Sequence, residues 1–470
     1  MGSLGGLVVI ATVTAVSASA VVLGAGGAAT AAPAGAAGSA AGAATSAAGK
    51  QADFNGDGYG DLAVSGGRAV TVMSGGAGGL STSRRQTLTP ASTGMPQSGG
   101  AGFGDSLAAG DLDGDGYDDL VVGFDGASPA GPDVAVVWGG RRKLSGTTFL
   151  SFKPGYGSNG PMVVDDFDGD GKDDLVAETV EGTTLFRGPF RRDGSSASTT
   201  LVNTGVLAYD LVSGDVNGDR VADLLAIGRR RTGTTDIADS ALVLGSGHGF
   251  GAAEVFRTRS TSGTIGDVDG DGYGDVILGA PLEGHNPAGV VGGSIVVEYG
   301  SAGGVSTTRK PVRISQDTAG VPGAGEKYDR FGWDLDAGDV NRDGYADLAV
   351  SVHHENVSGV TATGVVDVLR GSAEGLTATG AISWHQNTAG VPGVNEKYDE
   401  FATRVSLVDM DKDGRSELVA GTSSENVNQG NVWYFKAGSA GLTTRGVVSF
   451  GPSSVGLPSK YAAFAREMTK

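Results

Sequence analysis

The sequence repeats one short acidic pattern seven times, and this repetition limits the possible folds more than any other feature. Each copy places Asp or Asn at alternate positions around glycine, directly before an apolar run. A single copy would be typical of an ordinary Asp/Gly-rich turn, but seven in series indicate a body built from a repeated unit. The copies are DFNGDGYGDL from Asp53, DLDGDGYDDL from Asp111, DFDGDGKDDL from Asp166, DVNGDRVADL from Asp215, DVDGDGYGDV from Asp267, DVNRDGYADL from Asp339 and DMDKDGRSEL from Asp409.

The residue types in each copy predict a calcium-binding loop. Positions 1, 3 and 5 are Asp or Asn, position 9 is Asp or Glu, and position 6 is Gly in six of the seven copies. Calcium takes about six to eight oxygen ligands, and a tight loop can direct alternate side chains and the position-7 carbonyl at one ion. Glycine at position 6 permits the positive φ that such a turn needs. We therefore expect up to seven Ca²⁺ ions.

The predicted ligands are the side chains at positions 1, 3, 5 and 9 and the backbone carbonyl at position 7 of each loop. They are Asp53, Asn55, Asp57, Tyr59 and Asp61; Asp111, Asp113, Asp115, Tyr117 and Asp119; Asp166, Asp168, Asp170, Lys172 and Asp174; Asp215, Asn217, Asp219, Val221 and Asp223; Asp267, Asp269, Asp271, Tyr273 and Asp275; Asp339, Asn341, Asp343, Tyr345 and Asp347; and Asp409, Asp411, Asp413, Arg415 and Glu417.

Two loops depart from the pattern. In the fourth, Arg220 replaces the turn glycine, and in the seventh Glu417 is longer than the usual Asp. We expect both sites to bind calcium more weakly, and the fourth to be either weak or empty.

The loops do not read as the helix-loop-helix type of calcium site. Position 12 is Val64 in the first copy and Ala420 in the last, where that type needs a bidentate glutamate. Short β-branched runs lie on either side of the loops, at 69–73, 134–138, 294–299 and 364–369. They indicate that each loop is a turn between antiparallel strands.

The spacing of the repeats predicts the architecture. Successive copies begin 49 to 72 residues apart, which is enough for one four-stranded sheet with its loops. A linear stack of such units would expose two sheet edges, whereas a ring packs every unit against two neighbours. The prediction is an all-β, seven-bladed β-propeller of four-stranded antiparallel blades.

The charge of the chain argues against nucleic acid and anionic membranes as partners. The formal net charge is −19, and 25 of the 53 acidic residues stand at the loop positions. Seven divalent cations would reduce this charge to −5, so the acidity is explained by metal binding. The chain has no cysteine, so the fold does not depend on disulfides.

The N-terminal 50 residues have a different composition. Residues 5–24 form the longest apolar stretch, and small residues with A-x-A spacing follow near residue 31. This predicts a secretory signal peptide over 1–32, with a retained membrane anchor as the alternative, because the first residues carry no Lys or Arg. Residues 33–50 read as a flexible Ala/Gly/Ser spacer, and 51–470 as the propeller. We expect a secreted or extracellular monomer, or one attached to the cell envelope.

Residues 51–470 resemble the phenylalanyl-glycyl/glycyl-alanyl-prolyl (FG-GAP) repeats of integrin α-subunit propellers and of secreted bacterial relatives. The FG dipeptide stands eight residues before an acidic loop at Phe103-Gly104 and Phe331-Gly332, with Phe401-Ala402 as a variant, and GAP is found at 279–281. The resemblance implies the calcium ligands named above. The phospholipase D that cleaves glycosylphosphatidylinositol anchors is similar in these repeats, but its catalytic domain has no counterpart here.

The two ends of the repeat region are complementary. No FG strand precedes Asp53, while the C-terminal SKYAAFAREMTK resembles EKYDEFATR, which precedes the seventh loop. We therefore predict that residues 460–468 complete the first blade and close the ring.

The face opposite the acidic loops is the expected place for function. Two similar segments, 316–330 and 386–400, include Lys327, Tyr328 and Asp329 and the matching Lys397, Tyr398 and Asp399. These triplets either form a polar recognition edge or consist of packed tyrosines and Lys–Asp pairs. His353-His354-Glu355 invites a metal interpretation, but the second repeat has Ser423-Ser424-Glu425, and we expect a solvated loop.

Three functional hypotheses are consistent with these features. The first is a non-catalytic binding or adhesion module for an extracellular glycan, matrix or protein ligand. The second is an extracellular propeller hydrolase acting on polysaccharide or phosphoester, and the third is a structural component of the cell envelope. Carboxylates or histidines at the mouth of the channel would favour the hydrolase, whereas exposed aromatic residues near Trp384 or Tyr398 would favour a lectin-like binder.

Overall fold

A computed structural model describes residues 51–95, 102–124, 133–155, 160–232 and 235–470. The described residues all lie in the second of the chain's two units, Ala43–Lys470. The predicted signal peptide or anchor and the predicted spacer lie outside the described residues. Every strand of the described residues belongs to the second unit.

The second unit is a seven-bladed β-propeller, as predicted from the repeat. Each blade is an antiparallel sheet whose strands follow one another in sequence order. The strands are Leu62–Gly66, Ala69–Met73 and Arg85–Leu88 in blade one; Leu107–Gly110, Asp119–Gly123, Val134–Val137 and Thr147–Phe149 in blade two; Met162–Asp165, Asp174–Thr179, Gly182–Arg187 and Ser198–Leu201 in blade three; Leu207–Gly214, Asp223–Thr232, Thr235–Val243 and Glu254–Phe256 in blade four; Ser262–Gly266, Asp275–Ala280, Ser294–Glu298 and Val312–Ile314 in blade five; Leu335–Gly338, Asp347–Val352, Val365–Arg370 and Thr377–Trp384 in blade six; and Arg404–Val408, Glu417–Thr422, Asn431–Phe435 and Val448–Phe450 in blade seven.

The remaining regular elements are short. Two small hairpins extend blades five and seven, and four single turns of helix lie in the connecting segments. Among the described residues, no helix has the length and the apolar character needed to cross a bilayer. The hairpins pair Gly300–Ser301 with Gly304–Val305 and Ala437–Gly438 with Gly441–Leu442, and the helical turns are Pro90–Thr93, Glu283–His285, Glu425–Asn428 and Pro452–Val455.

The second strand of each blade explains why an apolar run follows each acidic loop in the sequence. In blades two and six these strands, Asp119–Gly123 and Asp347–Val352, are buried along their whole length. A strand covered on both faces by neighbouring sheets requires a continuous apolar run, not an alternating one. The core therefore lies between blades, as where Ile277 and Ile295 of blade five meet Leu348 of blade six.

The FG phenylalanines Phe103, Phe331 and Phe401 lie in the hydrophobic cores between neighbouring blades. Phe331 and Phe401 are fully buried, and the Phe401 ring lies 4.8 Å from that of Trp433 in an edge-on contact. Gly332 has φ of 87°, and Ala402 adopts the same left-handed conformation with φ of 62°. The glycine of the motif thus marks a backbone turn, which alanine accepts at some cost.

The C-terminal segment completes blade one, as predicted from the SKYAAFAREMTK similarity. Met468 pairs with Val64 in an antiparallel bridge. The Ser65 amide donates to the Glu467 carbonyl at 2.9 Å, and the Thr469 amide donates to the Ala63 carbonyl at 3.0 Å. Phe464, the counterpart of the FG phenylalanines, is fully buried. Residues 465–469 are therefore the innermost strand of the first blade.

The innermost strands of the seven blades surround a central channel. Its cavity volume is 510 Å³, and it is lined by segments of each inner strand, including residues 466–470. The strand order defines two faces. The lower face carries the seven acidic loops between first and second strands, and the upper face carries the 316–330 and 386–400 segments.

Candidate functional site

Each acidic loop is held by the side chain at position 1. In the second loop, Asp111 Oδ1 accepts hydrogen bonds from the Gly114 and Asp115 amides at 2.9 and 3.0 Å, and its Oδ2 accepts one from Gly116 at 2.8 Å. The same bond from position 6 recurs in all seven loops. These bonds turn the backbone around the carboxylate and bring positions 3 and 5 onto the same side.

In six of the seven loops, the side chain at position 9 accepts a hydrogen bond from a glycine amide just after the third strand of the blade. Asp119 accepts hydrogen bonds from the Leu112 amide at 3.0 Å and from the Gly139 amide at 2.7 Å. Burial raises the pKa of Asp119 to about 8, and these hydrogen bonds oppose that increase. The position-9 carboxylates of the other loops are buried in the same way. Such a carboxylate is stabilised in its charged form by a cation next to it.

The loops meet the main requirement of a calcium site, which is convergence of several oxygen atoms. Carboxylate oxygens of Asp111, Asp113 and Asp115 lie within 4.8 Å of one another, and equivalent groups form in the third and fifth loops. Asp113 Oδ1 and Asp411 Oδ1, both at position 3, are buried without a hydrogen-bond partner among the described residues. These residues fit a hard cation. The position-7 carbonyls and the ion itself stay predictions.

Arginine side chains lie against several of these carboxylates, which the sequence analysis did not anticipate. Arg192 is 2.5 Å from Asp113 and 3.3 Å from Asp115, and Arg187 is 3.3 Å from Asp168. Arg309 contacts Asp269 and lies over the Tyr299 ring. Arg187 ends the third strand of blade three, and Arg192 and Arg309 lie in segments that follow third strands. Their distance in sequence from the acidic loops varies, so no fixed spacing reveals them.

The two exceptional loops keep the common backbone path. Arg220 of the fourth loop has φ of 68°, and its amide donates to Asp215 Oδ2 at 2.8 Å as the glycines do. Position 4 is also left-handed, and there Arg342 and Lys412 replace glycine in the last two loops. In the seventh loop, Glu417 Oε2 accepts from the Met410 amide at 2.9 Å. Weaker calcium binding at these loops stays a prediction.

Comparisons with known proteins agree with this architecture. The FG-GAP-like repeat family matches residues 53–122, and the FG-GAP repeat family matches residues 260–297, 331–369 and 401–435. The chain is an FG-GAP repeat β-propeller. The matched segments end in the second or third strands of their blades, so each covers an acidic loop and the strands that hold it.

The relatives of this FG-GAP propeller include integrin α-subunits. Integrin alpha-PS2 of Drosophila melanogaster is 30% identical over 257 residues, which are 53% of this chain and 15% of the relative. The phosphatidylinositol-glycan-specific phospholipase D of Mus musculus is 29% identical over 160 residues, 33% of this chain and 17% of the relative. The chain thus spans less than a fifth of the length of these relatives.

One solved structure shares the overall fold of the FG-GAP propeller. It is an Agrocybe aegerita lectin described for specific recognition of non-reducing terminal N-acetylglucosamine. The two chains are 13% identical with a TM-score of 0.51, and the match covers 88% of this chain and 94% of the other. At this identity, the likeness shows the fold alone.

The upper face of the FG-GAP propeller presents three equivalent lysine–tyrosine pairs. Tyr328, Tyr398 and Tyr461 are 59%, 55% and 66% exposed, and each precedes the inner strand of a different blade. The ammonium of Lys327 lies 4.6 Å from the Tyr328 ring centre, and that of Lys397 lies 4.8 Å from the Tyr398 ring centre. Asp329 and Asp399 are buried instead of paired with the lysines. Packed tyrosines with Lys–Asp pairs are therefore not what forms here.

Another upper-face expectation was wrong. His353 is buried, with its ring 4.4 Å from those of Trp333 and His354, so the His353-His354-Glu355 stretch is not a solvated loop. Burial, together with the positive charges around it, lowers the pKa of His353 well below its usual value. Trp384 stacks on Phe435 at 5.0 Å and belongs to the packing between blades six and seven.

Charged residues line the central channel. Lys470 lies 2.7 Å from Asp334, Arg404 lies 2.9 Å from Glu467, and Arg466 lies 2.7 Å from Asp105. Asp210 and Asp336 face the same cavity, where burial raises the pKa of each to about 6. Lys470 opposes that increase at both. Six acidic and three basic residues line this cavity, so acids outnumber bases two to one.

Proposed function

We propose that the chain is a secreted, calcium-stabilised binding module that recognises an extracellular glycan through Tyr328, Tyr398 and Tyr461. The observation that carries this proposal is the repeated, exposed lysine–tyrosine pair on three consecutive blade junctions. No enzymatic step is required of these residues.

The tyrosines are held rigidly although their rings are exposed. Tyr328, Tyr398 and Tyr461 have φ of 80°, 68° and 53°, a conformation that costs a non-glycine residue about 1 kcal/mol. The Tyr328 amide donates to Glu283 Oε1 at 3.0 Å, which ties its segment to blade five. A fixed aromatic ring with few rotatable bonds gives contact area at low entropic cost. This arrangement suits a ring that stacks on a ligand.

The repetition of the pair supports a polymeric ligand. Three copies of one contact element, at successive junctions of the ring, match a ligand that also repeats its own contact groups. Such an arrangement gains affinity by multivalency, because the second and third contacts form at high effective concentration. A polysaccharide chain provides repeated sugars, whereas a folded protein ligand rarely presents three identical determinants. We therefore place glycans ahead of protein ligands.

The test is binding of the propeller to an array of glycans and cell-wall polymers, with matrix proteins alongside. We expect one class of polysaccharide to bind, and replacing all three tyrosines by Ala to weaken that binding by about tenfold or more. Leu201→Ala, which removes an exposed apolar side chain from the outer strand of blade three, is the matched control. A triple variant that binds as tightly as the parent chain would disprove the role of the tyrosines.

The channel carboxylates support a second candidate, a hydrolase. Asp210 and Asp336, with pKa values of about 6 beside Lys470, are the groups suited to proton transfer near neutral pH. The corresponding test is release of product from polysaccharide and phosphoester substrates by the folded chain. If the chain releases product and the Asp336→Asn variant does not, the hydrolase hypothesis is favoured. If no substrate is cleaved, the hydrolase hypothesis is rejected.

A further inference from the structure

A cluster of three carboxylates lies on the upper face, away from the seven acidic loops. Glu326 and Asp329 belong to the segment that leads into blade six, and Glu355 follows the second strand of that blade. One oxygen atom from each lies within 4.8 Å of the others. We call this set the junction acid cluster of blades five and six.

The cluster has polar atoms that no protein group satisfies. Asp329 is fully buried, its Oδ2 accepts from the Glu326 amide at 2.6 Å, and its Oδ1 has no hydrogen-bond partner in the described part of the chain. Gln316 is 3% exposed and directs its amide at the cluster, with Nε2 at 2.7 Å from Glu355 Oε2. Its Oε1 is likewise unpartnered there. A buried polar atom of this kind destabilises the fold unless a ligand satisfies it.

The neighbouring basic residues do not neutralise the cluster. Lys327 lies over the Tyr328 ring, and Arg330 faces His353 at 3.5 Å and the Trp333 ring at 5.0 Å. A cavity of 230 Å³, lined by both Gln316 and Glu355, adjoins the cluster. The site is therefore acidic, has room beside it and has oxygen atoms without partners.

The next blade junction repeats this arrangement. Glu396, Asp399 and Glu425 replace the three acids, and the Glu396 amide donates to Asp399 Oδ2 at 2.6 Å. Gln386 Nε2 lies 2.9 Å from Glu425 Oε2, and Gln386 Oε1 again lacks a partner among the described residues. The second junction thus repeats the same four residue types, and there Asn426 Nδ2 also donates to Glu425 Oε1 at 2.9 Å.

The third junction with a lysine–tyrosine pair, between blades seven and one, loses all three acids together. Ser459 and Ala462 replace the glutamate and aspartate of the Glu-Lys-Tyr-Asp segment. The Gly67 amide donates to the Ala462 carbonyl as the His354 amide does to that of Asp329, so Arg68 stands where Glu355 stands. The exposed tyrosine persists without the acids. The acids are therefore not needed to shape the segment, and they behave as one unit.

We propose that each of the two junction acid clusters binds a hard divalent cation, with calcium as the preferred ion. Three carboxylates from two segments supply only oxygen ligands, which suit Ca²⁺, Mg²⁺ or Mn²⁺ better than Zn²⁺. A half-turn of the Gln316 amide exchanges Nε2 for Oε1 and provides a fourth oxygen. The ion would join the connecting segment to the following blade, and this inference is independent of what the tyrosines bind.

Electrostatics agrees with the geometry. Burial raises the pKa of Asp329 to about 7, and the Glu355 carboxylate adds to the increase. Burial raises that of Glu425 to about 7, and Asp399 adds to it. Both values express the cost of collecting negative charge at a buried point, which a bound cation removes.

The experiment combines a crystal structure of the full chain soaked in Mn²⁺ with a count of bound Ca²⁺ by equilibrium dialysis at pH 7.5. We expect anomalous Mn²⁺ peaks among Glu326, Asp329 and Glu355 and at the equivalent set. Glu355→Gln and Glu425→Gln should each lower the Ca²⁺ count by one ion per chain, and the double variant by two. Glu181→Gln, at an exposed turn of blade three, should leave the count unchanged.

Two results would overturn the proposal. One is a crystal in which the lower-face loops show Mn²⁺ peaks and the two junctions show none. The other is a folded Glu355→Gln variant that keeps the full Ca²⁺ count, since the cluster would then be neutralised by protons. If either variant fails to fold, the anomalous map of the unaltered chain decides.

Discussion

Gly371 lies directly against Asp347, and its amide donates to Asp347 Oδ1 at 2.9 Å. The same pair of a position-9 aspartate and a glycine one or two residues past the third strand recurs in blades one to five. A Cβ on Gly371 would stand 2.5 Å from the Ala346 carbonyl oxygen, so only glycine allows this approach. The loop, the second strand and the third strand are thereby fixed by one buried carboxylate.

Replacing this glycine should therefore destabilise the blade. We expect Gly371→Ala to lower the free energy of unfolding by about 1–3 kcal/mol, because either the Ala346 carbonyl moves or the hydrogen bond to Asp347 breaks. Urea denaturation followed by tryptophan fluorescence would measure the change. Gly303→Ala, where an added Cβ meets no atom within 4 Å, should have little effect, and an equal loss in both variants would contradict the explanation.

The seventh blade differs from the others at both positions of this acid–glycine pair. It has Glu417 in place of aspartate and Ala437 in place of the glycine, so the longer acid accompanies the larger neighbour. We expect Glu417→Asp and Ala437→Gly each to be destabilising alone and the double variant to recover stability, because it recreates the pair of the other blades. A double-mutant cycle in urea measures the coupling, and strictly additive losses would show that the two residues are independent.

The strained arginine of the fourth loop gives a stabilising prediction. Arg220 has φ of 68°, so Arg220→Gly should raise the free energy of unfolding by about 1 kcal/mol. It should also strengthen calcium binding at this loop if the strain limits the site. Arg220→Lys keeps the strain and serves for comparison. Equal melting temperatures for the glycine and lysine variants would mean that the loop does not store strain.

Calcium removal is the direct test of the lower-face loops. A ligand that binds only the folded chain stabilises it by about 2.7 kcal/mol at one hundred times its Kd, so a chelator should lower the melting temperature. Added Ca²⁺ should restore it, whereas added Na⁺ should not. Identical melting curves with and without chelator would show that calcium does not stabilise these loops.

A buried acid in blade six gives a pH prediction. Burial raises the pKa of Asp367 to about 7, and the nearby Glu355 adds to the rise while Ser383 opposes it. Because the folded chain then holds a proton that the unfolded chain has lost, stability from this group is present below pH ~4 and is lost as pH rises to ~7. Asp367→Asn should be more stable than the parent at pH 8 by roughly 1–4 kcal/mol and equally stable at pH 4. A constant difference across this range would contradict the assignment.

The fold could be predicted from the sequence because the number and the spacing of the acidic loops determine the number of blades. Seven acidic loops before seven apolar runs predicted seven blades, and the similarity of SKYAAFAREMTK to EKYDEFATR predicted which strand closes the first one. The sequence analysis did not predict the positive φ at position 4. Glycine at this position indicates it in five loops, but Arg342 and Lys412 occupy the position in the other two.

The sites were less readable because their parts are far apart in sequence. Within one blade, the aspartate and the glycine that it binds are separated by 14 to 25 residues, and the separation differs from blade to blade. No single spacing therefore identifies the pair in the sequence. The junction acid clusters bring a connecting segment to a hairpin loop of the blade that it leads into, a contact that forms only when the first two strands of that blade pair. The exposure of Tyr328 and Tyr398 likewise depends on which side of the segment packs.

Deleting residues 465–470 should open the ring. The Leu62–Gly66 strand would keep its pairing with Ala69–Met73 but lose the inner strand on its other edge, and the buried Phe464 would stand at the chain end. We expect a lower melting temperature and new protease cleavage within blade one. A truncated chain with an unchanged melting temperature would show that the closing strand is dispensable.

The pairing of Val64 with Met468 also sets an order on biosynthesis. The ribosome delivers Leu62–Gly66 long before residues 465–469, so the first sheet waits with one edge unpaired while six further blades emerge. An open, apolar edge can pair with another nascent chain. Neighbouring copies must therefore be kept apart, or the chain held unfolded, until residues 465–469 have emerged.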